Sequence, residues 1–288
     1  MERNEVSENG SYSMKSIEID GNTIKYQDLG TGQPIVFIHG AFSNANTWRK
    51  VIPELSVTYR CIVPDWPFGA HSVPMSETFD FTAHGIAHFI AKFLVKLSLR
   101  EVIIIANDTG GAYAQVFASK YKEVVSHLVL SNCEGFEIFP PKKFQSLKTM
   151  VKVPGYLWLM AKVFRYKSSL KWEMTFGLLS NTLKKEVIHD LYVKEFINSK
   201  LIRNDFKKLV MEWDPKYTKE AAVHLSDFSK PVLILWGVDD TKLFPVELGN
   251  RLMANFPNAT LIEIKKSKTY IQEDNPLDFV HYISLLIK

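Results

Sequence analysis

Apolar positions along the chain follow two periods in alternation. Ser16–Asp20 and Thr23–Leu29 read as short strands around a Gly21-Asn22 turn. Pro34–His39 is a continuous apolar run of strand length that stops at Gly40, as a central strand covered on both faces does. Tyr59–Pro64, Val102–Ala106, Ser126–Ser131, Pro231–Gly237 and Thr260–Ile264 repeat that texture. Between them the period lengthens. Ile86, Phe89, Ile90, Phe93, Leu94 and Leu97 recur at helical spacing, Ala112, Ala114 and Ala118 mark a small-residue helix, and Phe279, Val280, Ile283, Leu286 and Ile287 close the chain amphipathically. Strand–helix alternation of this kind predicts an α/β fold with a mostly parallel sheet and right-handed crossovers.

The rhythm breaks between residues 135 and 217. Strand-like runs disappear, and aromatics and lysines alternate in helical patches interrupted by Pro140-Pro141 and Pro154-Gly155. The pattern predicts one core, residues 15–134 and 218–288, carrying a helical cap over 135–217. Residues 1–14 are polar and mixed in charge and read as a disordered tail. They have no apolar h-region, so no secretory signal is expected.

Composition narrows this little. The 288 residues, 46% hydrophobic and 23% charged, are enough for one large α/β unit and argue against disorder. No uncharged apolar stretch is long enough to span a bilayer, so no membrane partner is expected. A net charge of +4 spread over many lysines is too weak to suggest nucleic acid. Cys61 and Cys133 have neither a CxxC nor a metal spacing, which suits a reduced cytoplasmic chain. No His/Cys/Asp cluster has ligand spacing and no glycine pattern for phosphate follows the first strand, so neither metal nor cofactor is implied. The expected partner is a small molecule, and the sequence is silent on oligomeric state.

Three strings could carry chemistry. In Ala106-Asn-Asp-Thr-Gly-Gly-Ala112 an acidic side chain, Asp108, follows a buried strand with glycines behind it. That is how a nucleophile is held at a strand-to-helix turn, although an aspartate there can also simply cap the helix. His39-Gly40-Ala41 ends another buried strand, where the backbone N–H after the pair can face an oxyanion while His39 itself is structural. Trp236-Gly-Val-Asp-Asp240 supplies a carboxylate that could orient a base, or an ordinary acidic turn.

Together these strings resemble the α/β-hydrolase family, in the aspartate-nucleophile branch that includes haloalkane dehalogenases and epoxide hydrolases, over roughly Ser16–Lys288. Ile35–Trp48 is similar to its oxyanion segment, Pro64–Ser72 to the loop after the next strand, Ala106–Ala112 to its elbow, Leu235–Pro245 to its acid segment and Ile271–Pro276 to the tail of its histidine segment. The resemblance implies an eight-stranded sheet with a helical cap. It also implies Asp108 as nucleophile, Ala41 and Thr109 as oxyanion N–H donors, and Asp240 as the acid, ahead of Asp239, which is one residue off the family spacing.

The base is missing. The family's histidine would stand five residues before Asp274, and that position holds Thr269, with Lys268 and Tyr270 beside it. His71, in a loop at the strand-end side, could approach the pocket, whereas His281 and the remaining histidines show no partner pattern. An ionised aspartate attacks an alkyl carbon without a base, but hydrolysis of the resulting ester needs an activated water. Loss of the base costs on the order of 10³–10⁶ in turnover. Thr109 and Ala41 stand where dehalogenases carry halide-binding side chains, and Tyr156, Tyr166 and Tyr192 of the cap could serve epoxide opening. The aromatics Tyr156, Trp158, Phe164, Tyr166, Trp172 and Phe176 suggest an apolar pocket, or the cap's own core.

The expectation is a hydrolase of a small apolar ester, epoxide or alkyl halide with an incomplete triad. Two alternatives stand beside it: a lyase or cyclase using Asp108 and Asp240 as acid and base, and an inactive ligand-binding homologue.

Overall fold

A computed structural model describes residues 13–287. Of the tail read over residues 1–14, residues 1–12 lie outside the described residues. The chain runs β1 (Lys15–Ile19), β2 (Asn22–Leu29), β3 (Pro34–Ile38), β4 (Arg60–Pro64), α1 (Ala83–Lys96), β5 (Val102–Asp108), α2 (Thr109–Lys120) and β6 (Val125–Cys133). After an insertion that includes the helices α3 (Tyr156–Phe164) and α4 (Lys200–Glu212), it resumes with α5 (Pro215–Leu225), β7 (Val232–Gly237), α6 (Val246–Asn255), β8 (Ala259–Ile264) and α7 (Pro276–Leu286). The boundary read at 217 falls inside α5, whose N-terminus is capped by the Asp214 side chain and whose Ala221 and Leu225 pack in the sheet's core.

The eight strands lie in the order β1-β2-β4-β3-β5-β6-β7-β8. The pairs β1/β2 and β2/β4 are antiparallel and the other five are parallel. At their C-terminal ends β5 and β6 outrun the apolar runs that marked them. β5 continues through Asn107 and Asp108, which pair with Ser131 and Cys133 of β6. Ladder hydrogen bonds come from the backbone, so polar side chains at a strand's end do not stop it.

Apolar runs cover both faces because alternate residues feed opposite layers. On β3, Val36 and Ile38 join the core under α1, α2 and α5, while Ile35 and Phe37 join a second core with Trp48, Ile52, Phe279 and Ile283. Parallel strands put their C-terminal ends on one edge, where α/β sheets bind ligands. His39 follows β3 at that edge, and β5, β6 and β7 end there in Asp108, Cys133 and Gly237. The insertion covers it. Phe42, just past β3, packs against Phe196 and Phe206 of the insertion with ring centroids 4.9 and 4.0 Å apart.

Candidate active site

Asp108 is the last residue of β5 and the residue before α2, with φ 54° and ψ −138°. Only glycine adopts that region without strain, so the surroundings must hold this aspartate there at a cost of roughly 1–3 kcal/mol. Glycines make the turn possible by close approach. A Cβ on Gly110 would lie 2.4 Å from the Ile38 carbonyl oxygen, and one on Gly111 would lie 2.3 Å from Cys133 Cβ. A Cβ on Gly40 would lie 2.1 Å from Asp108 Oδ2, so the nucleophile candidate rests directly on the His39-Gly40 backbone.

Asp108 opens on a cavity of about 90 Å³ under the insertion. Phe42, Leu147, Met160, Phe164, Phe176, Leu179 and Trp213 make most of its wall apolar, and Ala41 and Thr109 stand beside Asp108 in it. The Ala41 N–H has no hydrogen-bond partner among the described residues, and the Thr109 N–H reaches the Asp108 carboxylate. Burial, and then the charge of Asp240, push the Asp108 carboxyl up to about 7.

Asp240 is buried at the turn after β7. Its Oδ1 accepts from the Leu243 and Phe244 N–H groups at 3.0 and 3.2 Å, and its Oδ2 accepts from the Thr269 hydroxyl at 2.5 Å. Burial raises its pKa, and these donors oppose that rise. Asp239 is exposed and accepts from Asn181. Thr269 thus occupies the position of the expected base and is bonded to the expected acid. Its loop is anchored by Asn107, whose Nδ2 donates to the Thr269 carbonyl at 2.7 Å, and by Gln272, which donates to Asn107 Oδ1 at 3.0 Å. Asn132 holds the other side by exchanging two hydrogen bonds with the Gly237 backbone.

None of the histidines is among the cavity-lining residues. His71 is buried with Nε2 at 3.1 Å from Asp205 of α4 and Nδ1 accepting from the Gly69 N–H, so the loop position that made it a candidate leads away from the cavity. His39 is structural. Its Nε2 accepts from the Trp66 N–H, its Nδ1 lies 2.9 Å from the Gly40 carbonyl, and burial lowers its pKa to about 3. His281 is exposed on α7.

The cap aromatics divide. Tyr156, Phe164 and Phe176 line the cavity, whereas Trp158, Tyr166 and Trp172 are exposed. Tyr192 is buried but donates to Glu273, which also binds Arg49 and Lys50. Of the three tyrosines considered as donors, only Tyr156 reaches the cavity.

Sequence reasoning missed Glu134. It follows the last residue of β6, is 2% exposed, and lines the cavity with Asp108. Its Oε1 accepts from the Thr109 hydroxyl at 3.2 Å, while its Oε2 is buried with no partner. Burial, and then the Asp108 charge, push its pKa well up. The available signal was its place just beyond a buried parallel strand, on the ligand-binding edge. Among the described residues no cluster of three or more His, Cys, Asp or Glu could hold a metal ion.

Comparison with known proteins agrees with this architecture. A sequence model described as the alpha/beta hydrolase fold matches residues 33–276. The uncharacterized hydrolase YugF of Bacillus subtilis is 26% identical, over 96% of this chain and 98% of that protein. Haloalkane dehalogenase 2 of Mycobacterium tuberculosis is 26% identical, over 88% of this chain and 87% of its own length. The solved structure of the epoxide hydrolase CorEH superposes with a TM-score of 0.76 at 19% identity, covering 96% of this chain and 98% of that one, a likeness of fold. This chain belongs to the alpha/beta hydrolase fold family.

Proposed function

We propose that the chain is a hydrolase of a small apolar substrate bearing an electrophilic alkyl carbon, and that Asp108 is its nucleophile. One observation carries the reading: Asp108 sits at a positive-φ turn, facing an apolar cavity, with a second buried carboxyl, Glu134, in the same wall. Among ester, epoxide and alkyl halide, the epoxide fits best. Carboxylate attack on an ester carbonyl would give an anhydride, a poor intermediate. A halide would want donors that Ala41 and Thr109 side chains do not supply.

The two carboxyls divide the work that a histidine would otherwise do. The ionised Asp108 oxygen attacks an epoxide carbon, the C–O bond breaks, and the protonated Glu134 gives its proton to the departing oxygen. This leaves a hydroxyalkyl ester on Asp108 and a carboxylate on Glu134. Esterification removes the Asp108 charge, the second cause after burial that held the Glu134 pKa up, and the carboxylate left on Glu134 by the first step is the base for the second. It takes a proton from water as hydroxide adds to the ester carbonyl, with the Ala41 and Thr109 N–H groups facing the oxyanion. Collapse releases a diol and restores ionised Asp108 and protonated Glu134.

A lyase or cyclase reading built on Asp108 and Asp240 finds less support, because Asp240 is spent on three donors and does not line the cavity. An inactive ligand-binding homologue would keep the cavity without turnover. The test is intact-mass analysis with an apolar epoxide such as styrene oxide. Wild-type protein should form the diol, and single turnover in heavy-oxygen water should place the label in Asp108. Glu134→Gln lacks both the acid and the base, so it should form the Asp108 ester more slowly than wild type and then fail to clear it. No adduct on either protein would overturn the reading, and diol formed by Asp108→Asn at the wild-type rate would do the same.

A further inference from the structure

Helix α3 is apolar on both sides. Its inner face puts Tyr156, Met160 and Phe164 into the cavity wall. Its outer face presents Trp158, Leu159 and Lys162, and Arg165 and Tyr166 follow directly after its end. Trp158, Leu159 and Tyr166 are 58%, 55% and 73% exposed. A helix with large apolar residues and cations on its outward face has the character of an interfacial helix, with aromatics suited to headgroup depth.

Charge along the same segment has one sign. From Ile138 to Trp172 the sequence has eight lysines and arginines and no aspartate or glutamate. Lys143 and Lys167 reach carboxylates outside the segment, at 3.3 and 3.5 Å. Lys142, Lys152, Lys162 and Arg165 are exposed and have no carboxylate partner among the described residues. The Lys162 ammonium stands 5.2 Å from the Trp158 ring centroid, the stem-and-head arrangement of a snorkelling lysine. Met150 of this segment and Met174, just beyond it, line the cavity and are also partly exposed, so its mouth opens beside this segment.

We propose that this face of the insertion docks on an anionic phospholipid surface. Trp158, Leu159 and Tyr166 lie among the headgroups while Lys152, Lys162 and Arg165 meet the lipid anions. An apolar substrate dissolved in that surface would then reach the cavity mouth without crossing water. No membrane partner was expected from the sequence because nothing spans a bilayer. Among the described residues no helix is long and apolar enough to cross one, but peripheral docking needs no span.

Other occupants fit less well. In a symmetric pair of this chain the patch would face itself, setting like charges together. An acidic protein would satisfy the cations but would need its own apolar surface to cover Trp158 and Leu159. Each basic residue near an anionic surface strengthens binding about five-fold at low salt.

The inference is independent of the chemistry at Asp108, and co-sedimentation of the full chain with vesicles tests it. Wild-type protein and Asp108→Asn should both bind phosphatidylcholine–phosphatidylserine vesicles at low salt. Both should bind pure phosphatidylcholine at least ~10-fold more weakly and leave the anionic vesicles as salt rises. Lys162→Gln/Arg165→Gln should lose at least ~10-fold, and Trp158→Ala/Leu159→Ala should lose binding even at low salt. These side chains are exposed, so circular dichroism and gel filtration should match wild type. Three results would overturn the proposal: no binding to anionic vesicles at low salt, binding unchanged in both double variants, or binding to polyglutamate or self-association without vesicle binding.

Discussion

The Thr269 hydroxyl donates to Asp240 Oδ2 across 2.5 Å, filling with an alcohol the place where a base would bridge the acid and the attacking water. A threonine hydroxyl cannot take a proton near neutrality, so this contact holds the loop and orients nothing that titrates. Two buried carboxyls, Asp108 and Glu134, line the cavity, and on the proposed function they carry its proton chemistry.

Restoring a base at that position should speed the slow step. Asp240 is already placed to accept from an imidazole N–H at residue 269, so Thr269→His should raise hydrolysis of the alkyl–Asp108 ester by about 10²-fold or more. Decay of the ester followed by intact mass measures this. No gain across esters, epoxides and haloalkanes would favour the lyase or binding-protein readings.

Alkylation of Asp108 should depend on pH with a defined sign. Only the ionised carboxylate attacks, and its pKa is pushed up to about 7. Adduct formation should rise about ten-fold per pH unit below that value and level off above it. A rate independent of pH between 5 and 8, roughly the span over which such a group titrates, would contradict the raised pKa.

The same shift predicts a stability cost. The folded pKa of Asp108 lies above its unfolded value of 3.8, so the native state holds the proton more tightly. Its contribution to stability is fully present below the unfolded pKa and is lost as pH rises through about 7. Asp108→Asn removes the buried charge and should stabilise the fold by a few kcal/mol above pH 7, roughly the integral of that shift, and by little at pH 4, roughly the unfolded pKa. Denaturant midpoints at the two pH values measure the difference.

Gly40 offers a steric test. An alanine Cβ there would fall 2.1 Å from Asp108 Oδ2 and 2.6 Å from Asp108 Cβ. Because Cβ is tied to a strained backbone, the whole elbow must shift rather than one oxygen. Gly40→Ala should cut adduct formation by about 10²-fold while leaving far-UV circular dichroism unchanged. An adduct rate equal to wild type would show that the elbow has more freedom than this packing allows.

The sequence alone determined what local physics controls. Short apolar runs marked the eight strands, and recurrence near 3.6 marked the helices α1, α2 and α7, because burial on a sheet or against one needs only the right spacing of side chains. Ala106–Ala112 announced a tight turn, since its glycines are required by close backbone approach, and the absence of histidine at residue 269 was plain from the text. Tertiary structure decided which polar groups share a space. It turned Tyr166 outward, spent Tyr192 on Glu273 and His71 on Asp205, and set Glu134 beside Asp108. Glu134 lies 26 residues beyond Asp108 in the chain, and Asp205 lies 134 beyond His71. Contacts over such separations follow from strand order and from how the insertion folds over the sheet edge, and neither leaves a periodic mark on the residues concerned.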